Sequence, residues 1–280
     1  MTARSLALTA ILLAGLSQPG SADPLELSGA LSQGGTVYGR IDDPASLLTL
    51  DGRPIRVSED GRFVFGFGRD APASAVLEIR RPSGIVSSVP LTITQREYEI
   101  QQLEGLPQNL VTPDPEEEAR IAREQAQVRD ARQLDLDRPL FESGFIWPAL
   151  GPISGVYGSQ RILNGVARAP HYGVDIAAPE GSAVRAPADG LVTFAKPGLL
   201  LTGGTLVIDH GHGLSSTFIH LSRIDVEVGA RLRQGDIVGA VGATGRATGP
   251  HLHWGMNWFE VRLDPQLVVG PMPEAPAGGD

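Results

Sequence analysis

Cysteine is absent from all 280 residues. That excludes a disulfide scaffold, a thiolate metal ligand, a catalytic thiol and a lipidated cysteine at an export cleavage site. Excess positive charge is missing too: 23 Lys and Arg face 32 Asp and Glu, giving a formal net charge of -9, and nearly all of the positive charge is arginine. A chain this acidic lacks the basic face that a nucleic-acid binder needs. One N-terminal apolar run is itself too short to span a bilayer as a stable helix, and no second long apolar stretch exists. The mature chain is therefore expected to be soluble, without a membrane span.

That one run covers residues 6–16, follows Arg4 and precedes Gly20-Ser21-Ala22. A positive start, a short apolar stretch and small residues at a cleavage position read as an export signal over residues 1–22, cut after Ala22. The expected location is the periplasm or the exterior.

Hydrophobic residues make up 41% of the chain, enough for a packed core. Residues 23–97 read as a small β-sandwich-like module. Short β-rich runs alternate with turn signals such as Asp51-Gly52 and Glu59-Asp60-Gly61. The run 62–67 (RFVFGF) alternates as a half-buried strand would. Residues 98–140 change character. Prolines punctuate their start, and 116–133 is charged and rich in helix formers, with acids first and most arginines later, as the helix dipole favours. Ile121 and Val128 are its only large apolar residues. A solvated linker helix is expected, with docking on a partner as the alternative. From residue 141 to 270 the helical period disappears and short apolar runs end at Gly or Pro, which predicts an antiparallel β domain. Residues 271–280 (PMPEAPAGGD) read as a disordered tail. The fold class is all-β, with one linker helix.

Histidine is missing everywhere before His171. The six are His171, His210, His212, His220, His251 and His253, all in the C-terminal β domain. In a strand, alternate side chains share a face. His171-Tyr172-Gly173-Val174-Asp175 would thus direct an imidazole and a carboxylate the same way, with a glycine between them leaving room for an ion. His251-Leu252-His253 would present two imidazoles on one face. His220 follows an apolar run at a strand end. Two imidazoles and a carboxylate suit Zn²⁺. The same set holds Fe(II) in oxygenases, but there the pair is usually His-x-Asp/Glu, and a cupin would want a glutamate and another histidine downstream of His-x-His, whereas His251 and His253 are the last histidines in the chain.

The blocks HYGVDIAAPEGSAVRAPADG, IHLS and TGRATGPHLHW, in this order, resemble the lysostaphin-type (LytM-like) peptidoglycan endopeptidases over about residues 151–265. The resemblance implies a β-sheet groove with one zinc held by His171, Asp175 and His253, and His220 and His251 as unligated catalytic histidines. It implies hydrolysis of peptide cross-links between peptidoglycan stem peptides. A non-catalytic regulator that activates another wall hydrolase is the alternative, and a cell-wall or division protein could then dock through the linker helix or the N-terminal module. Phe218 departs from the family's frequent tyrosine. Residues 160–170 and 199–201 would shape the groove. His210 and His212 fall at a loop around the turn 209–213, with His212 a candidate to reach the groove.

Overall fold

The computed structural model describes residues 25–103 and 115–273. The export signal read over residues 1–22 and most of the predicted tail lie outside the described residues. Strands β1 (Glu26–Gly29), β2 (Thr36–Arg40), β3 (Leu47–Leu50), β4 (Arg53–Ile55), β5 (Arg62–Gly66), β6 (Ser74–Arg80) and β7 (Val86–Thr92) form two small antiparallel sheets, ordered β1-β2-β5 and β4-β3-β6-β7. β3 and β4 turn at Asp51-Gly52, whose φ values of 48° and 81° are the left-handed pair that a two-residue hairpin needs. β6 alternates cleanly between buried and exposed residues.

β8 (Ile100–Leu103) and α1 (Pro115–Ala131) come next. Then come β9 (Ile153–Gly155), β10 (Gln160–Leu163), β11 (Val166–Ala167), β12 (Val174–Ala177), β13 (Ala183–Arg185), β14 (Gly190–Leu199) and β15 (Gly203–Asp209). The last are β16 (Leu214–Leu221), β17 (Arg223–Ile224), β18 (Arg231–Leu232), β19 (Ile237–Ala240), β20 (His251–Trp258) and β21 (Val261–Leu263). An eight-stranded sheet runs β18-β14-β15-β16-β20-β12-β9, with β21 beside β20, and its pairs are all antiparallel. Among the described residues, the all-β reading with one α-helix matches this architecture.

Three local expectations need correction. β5 is not half-buried: Phe63, Val64 and Phe65 are each fully buried, because residues far along the chain cover the second face. One continuous apolar core runs from Val37 through Phe65 to Trp254 and Leu263. Polar fasteners reinforce it: Arg96 pairs with buried Asp264 at 2.8 Å, and Asp264 N–H donates to the Gly34 carbonyl at 2.8 Å. Residues 100–103, expected in a linker, instead form β8, which pairs in parallel with β10 and completes a third small sheet with β11.

Nor is α1 solvated all round. It lies on the eight-stranded sheet, where Val128 packs with Phe194, Leu199 and Val207, and Ala131 packs alongside. This explains why β15 is buried on both faces: Val207 meets the helix while Leu206 and Ile208 enter the main core. Just past the helix, Arg132 is buried and donates to the Val128 carbonyl at 3.2 Å and to Asn257 Oδ1 at 3.2 Å. Burial pulls its guanidinium down to about 9.

Val128→Ala removes two buried methyl groups, worth about 1.5 kcal/mol at ~0.8 kcal/mol each. We expect the unfolding free energy from urea denaturation to fall by that amount, with a correspondingly lower midpoint. An unchanged midpoint would mean that α1 does not stay docked in solution.

Candidate metal centre

Antiparallel pairing of β12 with β20 sets Asp175 opposite His253 and Ala177 opposite His251. Directly opposed residues share a sheet face. Asp175, Ala177, His251 and His253 therefore face the groove, and Val174, Ile176, Leu252 and Trp254 fill the core with no exposure. The small Ala177 leaves space before His251.

His171 is not in the strand, contrary to the alternation argument; β12 begins at Val174. It is pinned by the preceding turn instead. Its backbone N–H donates to the Ser159 carbonyl, its carbonyl accepts from Gly158 N–H, both at 2.8 Å, and its Nδ1–H donates to the Val156 carbonyl at 3.0 Å. That last bond leaves Nε2 with a lone pair, aimed at Asp175 Oδ1 (3.0 Å) and His253 Nδ1 (3.0 Å). His253 Nδ1 lies 2.8 Å from the same carboxylate oxygen. Gly173 serves this closure. A Cβ there would sit 2.7 Å from His253 Nε2 and collide with the Trp254 carbonyl. Gly155 does the same for the carboxylate, since a Cβ at that position would run into Asp175 Oδ2.

Three electron-pair donors thus converge to a triangle with edges of 2.8–3.0 Å. Such a set repels itself unless a cation or shared proton sits among its lone pairs. A divalent ion binding nitrogen and carboxylate oxygen at about 2.0–2.2 Å fits it, and the Val156 carbonyl supplies the outer hydrogen bond that orients a ligating imidazole. Among the described residues, no other group of three or more His, Asp or Glu side chains converges closely enough to hold an ion. Burial alone would raise the Asp175 carboxyl, but hydrogen bonds and charge from His171 and His253 outweigh it and hold it well below the usual carboxylate range. Burial opposes protonation of His171, but the hydrogen bond and charge of Asp175, together with the Val156 carbonyl, outweigh it and raise the imidazole. Burial keeps His253 down.

His220 and His251 stand beside the triangle, their rings 4.8 Å apart. His251 Nδ1–H donates to the Gly249 carbonyl at 2.8 Å, and its Nε2 is 3.9 Å from Asp175 Oδ1. His220 Nδ1–H donates to the Thr244 carbonyl at 2.8 Å. Both rings are therefore held in the tautomer with a basic Nε2. Burial lowers the His220 imidazole, which favours its neutral form. His220 has a φ of 65°, a left-handed conformation that costs a non-glycine residue about 1–2 kcal/mol. Sequence reasoning missed Gly155, Val156 and Thr244, two of which act through backbone carbonyls.

His210 and His212 belong elsewhere. Their turn joins β15 to the start of β16, and His220 is near the other end of β16, roughly 20 Å away at about 3.3 Å per residue. His212 packs on Phe141 and donates from Nε2 to the Asp137 carbonyl, so it does not reach the groove. His210 is fully buried. Its Nδ1–H donates to the Asp189 carbonyl at 2.7 Å, and its Nε2 accepts from Ser216 Oγ–H at 2.9 Å, while Ser216 Oγ accepts from Trp254 Nε1–H at 3.1 Å. This chain braces the core side of β20.

The pattern describing Peptidase family M23 matches residues 169–265. A crystal structure assigned to peptidase M23 from Pseudomonas aeruginosa is 30% identical and superposes with a TM-score of 0.67, covering 85% of this chain and 94% of that one. The DD-carboxypeptidase/endopeptidase Mpg of Neisseria meningitidis is 42% identical over 106 residues, 37% of this chain and 24% of that protein. The peptidoglycan DD-endopeptidase ShyA of Vibrio cholerae is 41% identical over 86 residues, 31% of this chain and 20% of that protein. The chain thus spans a quarter or less of the length of these two curated relatives.

Asp175→Ala is expected to lose bound divalent metal on dialysis, and His251→Ala to retain it, by elemental analysis. Equal loss in both would make His251 a ligand. A second expectation concerns the buried pair behind the sheet. Burial pushes Asp209 up to about 7 from 3.8, and pulls His210 down to about 4 from 6.5. Asp209 therefore contributes stability at low pH that is lost as pH rises through about 7, whereas His210 contributes stability at high pH that is lost as pH falls from 6.5 toward about 4. Asp209→Asn, which keeps an acceptor for Gly211 N–H, should unfold at higher urea than the parent at pH 8. The gap should close as pH is lowered toward 4. A gap constant with pH would mean that Asp209 ionises normally.

Proposed function

The chain belongs to peptidase family M23, and on that premise we propose that it is a zinc-dependent endopeptidase that hydrolyses peptide cross-links of bacterial peptidoglycan. The observation that carries this reading is the His171–Asp175–His253 triangle with two tautomer-locked histidines at its edge. Zinc suits two imidazoles and one carboxylate, a set that leaves a fourth position open. Bound there, it would supply Lewis acidity, acidifying a water molecule and polarising the scissile carbonyl. The chain provides the rest. His171, Asp175 and His253 are the ligands. His220 and His251 each offer a basic Nε2, so one can take the proton of the attacking water. That histidine can then hand the proton to the departing amine, while the other, in its imidazolium form, can stabilise the oxyanion. No glutamate stands where a His-Glu-x-x-His helix would put one, which leaves these roles to the histidines.

The relatives' names favour a bond between two D-configured centres, D-alanyl to a diamino acid, over a glycine bridge. Such a substrate requires export, consistent with the signal read at residues 1–22 and with a periplasmic or extracellular location. The regulator alternative is less well supported, because all five ligand and catalytic positions are filled. Docking of a wall or division protein through α1 also loses ground, since the helix spends its buried valine on this chain's own sheet.

Zinc-loaded protein on purified cross-linked peptidoglycan should convert muropeptide dimers to monomers, read by mass. His171→Ala and His220→Ala should each lower the rate by roughly 100-fold or more. The rate should also fall on acidification as protons displace metal from the imidazoles. Intact dimers with zinc bound, or a profile flat down to about pH 4, would contradict this mechanism.

A further inference from the structure

His220 does not hold its own position. Its left-handed backbone is fixed from two sides: its N–H donates to the Thr202 carbonyl at 2.8 Å, and its ring donates to the Thr244 carbonyl at 2.8 Å. These two carbonyls sit on loops that are joined to each other. Gly204 N–H donates to Thr244 Oγ1 at 2.9 Å, Thr244 Oγ1–H donates to the Leu221 carbonyl at 2.8 Å, and Arg246 N–H donates to the Leu201 carbonyl at 2.9 Å. Gly203 lies so close against Thr244 that no Cβ fits between them.

The outer end of this assembly is gripped by α1. Glu124 Oε2 accepts Leu200 N–H at 2.7 Å. Arg120 donates from Nε to Glu124 Oε1 at 2.7 Å and from Nη2 to the Gly198 carbonyl at 3.1 Å. One turn further along, Lys196 Nζ donates to Gln127 Oε1 at 2.8 Å, and Val128 meets Leu199. The Glu124 side chain is only 18% exposed, and its bond to Leu200 N–H is partly buried. Glu124 and Arg120, 96 and 100 positions before His220 in the chain, thus grip the turn whose Thr202 carbonyl holds it.

We propose that Glu124 is a positioning residue for His220: with Arg120 it sets the turn 198–202, and through Thr202 it sets the geometry of the imidazole. The proposal rests on His220 being catalytic. It differs from a purely structural role for α1, because loosening the turn should cost turnover even where the fold is intact. A displaced catalytic group loses rate steeply, up to about 100-fold for 1 Å.

The test compares zinc-loaded full-length protein with Glu124→Ala and Glu124→Gln on a purified muropeptide dimer, well below the unfolding temperature. Glutamine keeps an oxygen for Leu200 N–H; alanine does not. Glu124→Ala should lower kcat roughly tenfold with KM and bound zinc unchanged, and Glu124→Gln should restore most of the loss. In parallel, protein labelled with ¹⁵N-histidine reports the His220 Nδ1–H directly, its signal assigned by disappearance in His220→Ala. Glu124→Ala should speed its exchange with water about tenfold or more, as expected when local opening becomes easier. Wild-type kcat and wild-type exchange in Glu124→Ala, with only a lowered melting midpoint, would overturn the proposal and leave Glu124 a structural residue. If the unmutated protein cleaves no dimer, the endopeptidase reading falls, and the exchange comparison still decides whether Glu124 holds His220.

Discussion

The site depends on the register between β12 and β20. Because Asp175 faces His253 and Ala177 faces His251, the groove face collects the polar groups while Val174, Ile176, Leu252 and Trp254 lock the other face into the core. Sliding one strand by a single residue would invert both faces. The two named side chains of the shifted strand would then be exposed at about 1.5–3 kcal/mol each, a large share of a domain's stability. Hydrophobic packing on one face thereby fixes the geometry of the converging donors on the other. The imidazoles and the carboxylate, which repel or compete when crowded, are held together by side chains on the opposite face of the same strands. The His210–Ser216–Trp254 chain strengthens the same arrangement from behind, since it satisfies the one polar atom that Trp254 carries into the core.

Much of this was legible in the residue pattern, and the limits of legibility have a physical cause. His251-Leu252-His253 reads correctly because both imidazoles lie in a regular strand, where the period of two holds. His171 reached the right place for a different reason: the turn at 156–159 binds its backbone and ring, and the strand begins only at Val174. Gly173 is needed less to admit an ion than to let the His253 ring and the Trp254 carbonyl approach. The carbonyls of Val156, Thr244 and Gly249 orient three of the histidines, yet any residue type supplies a carbonyl, so no side-chain pattern announces them.

The misread segments share another feature. β5 and α1 each show a local pattern that implies one wet face, and each is covered by chain distant in sequence. Val128, with Ala131 beside it, can seat α1 because Phe194, Leu199 and Val207 already form an apolar platform on the sheet, and polar bonds from Arg120, Glu124, Gln127 and Arg132 complete the contact. Few apolar residues in a helix therefore say little about docking when the receiving surface carries the hydrophobic share.

The continuous core has a consequence for the order of assembly. Phe63, Val64 and Phe65 are fully covered, Gly66 is closed over by Leu263, and Arg96 finds its carboxylate at Asp264. Those contacts span most of the chain, a high contact order that slows folding. A ribosome or an export channel releases the N-terminal strands first, so β5 must wait with one apolar face open until β21 emerges. During that interval the chain carries an incompletely covered apolar surface, and a truncation that removed Leu263 would uncover the end of β5 at Gly66.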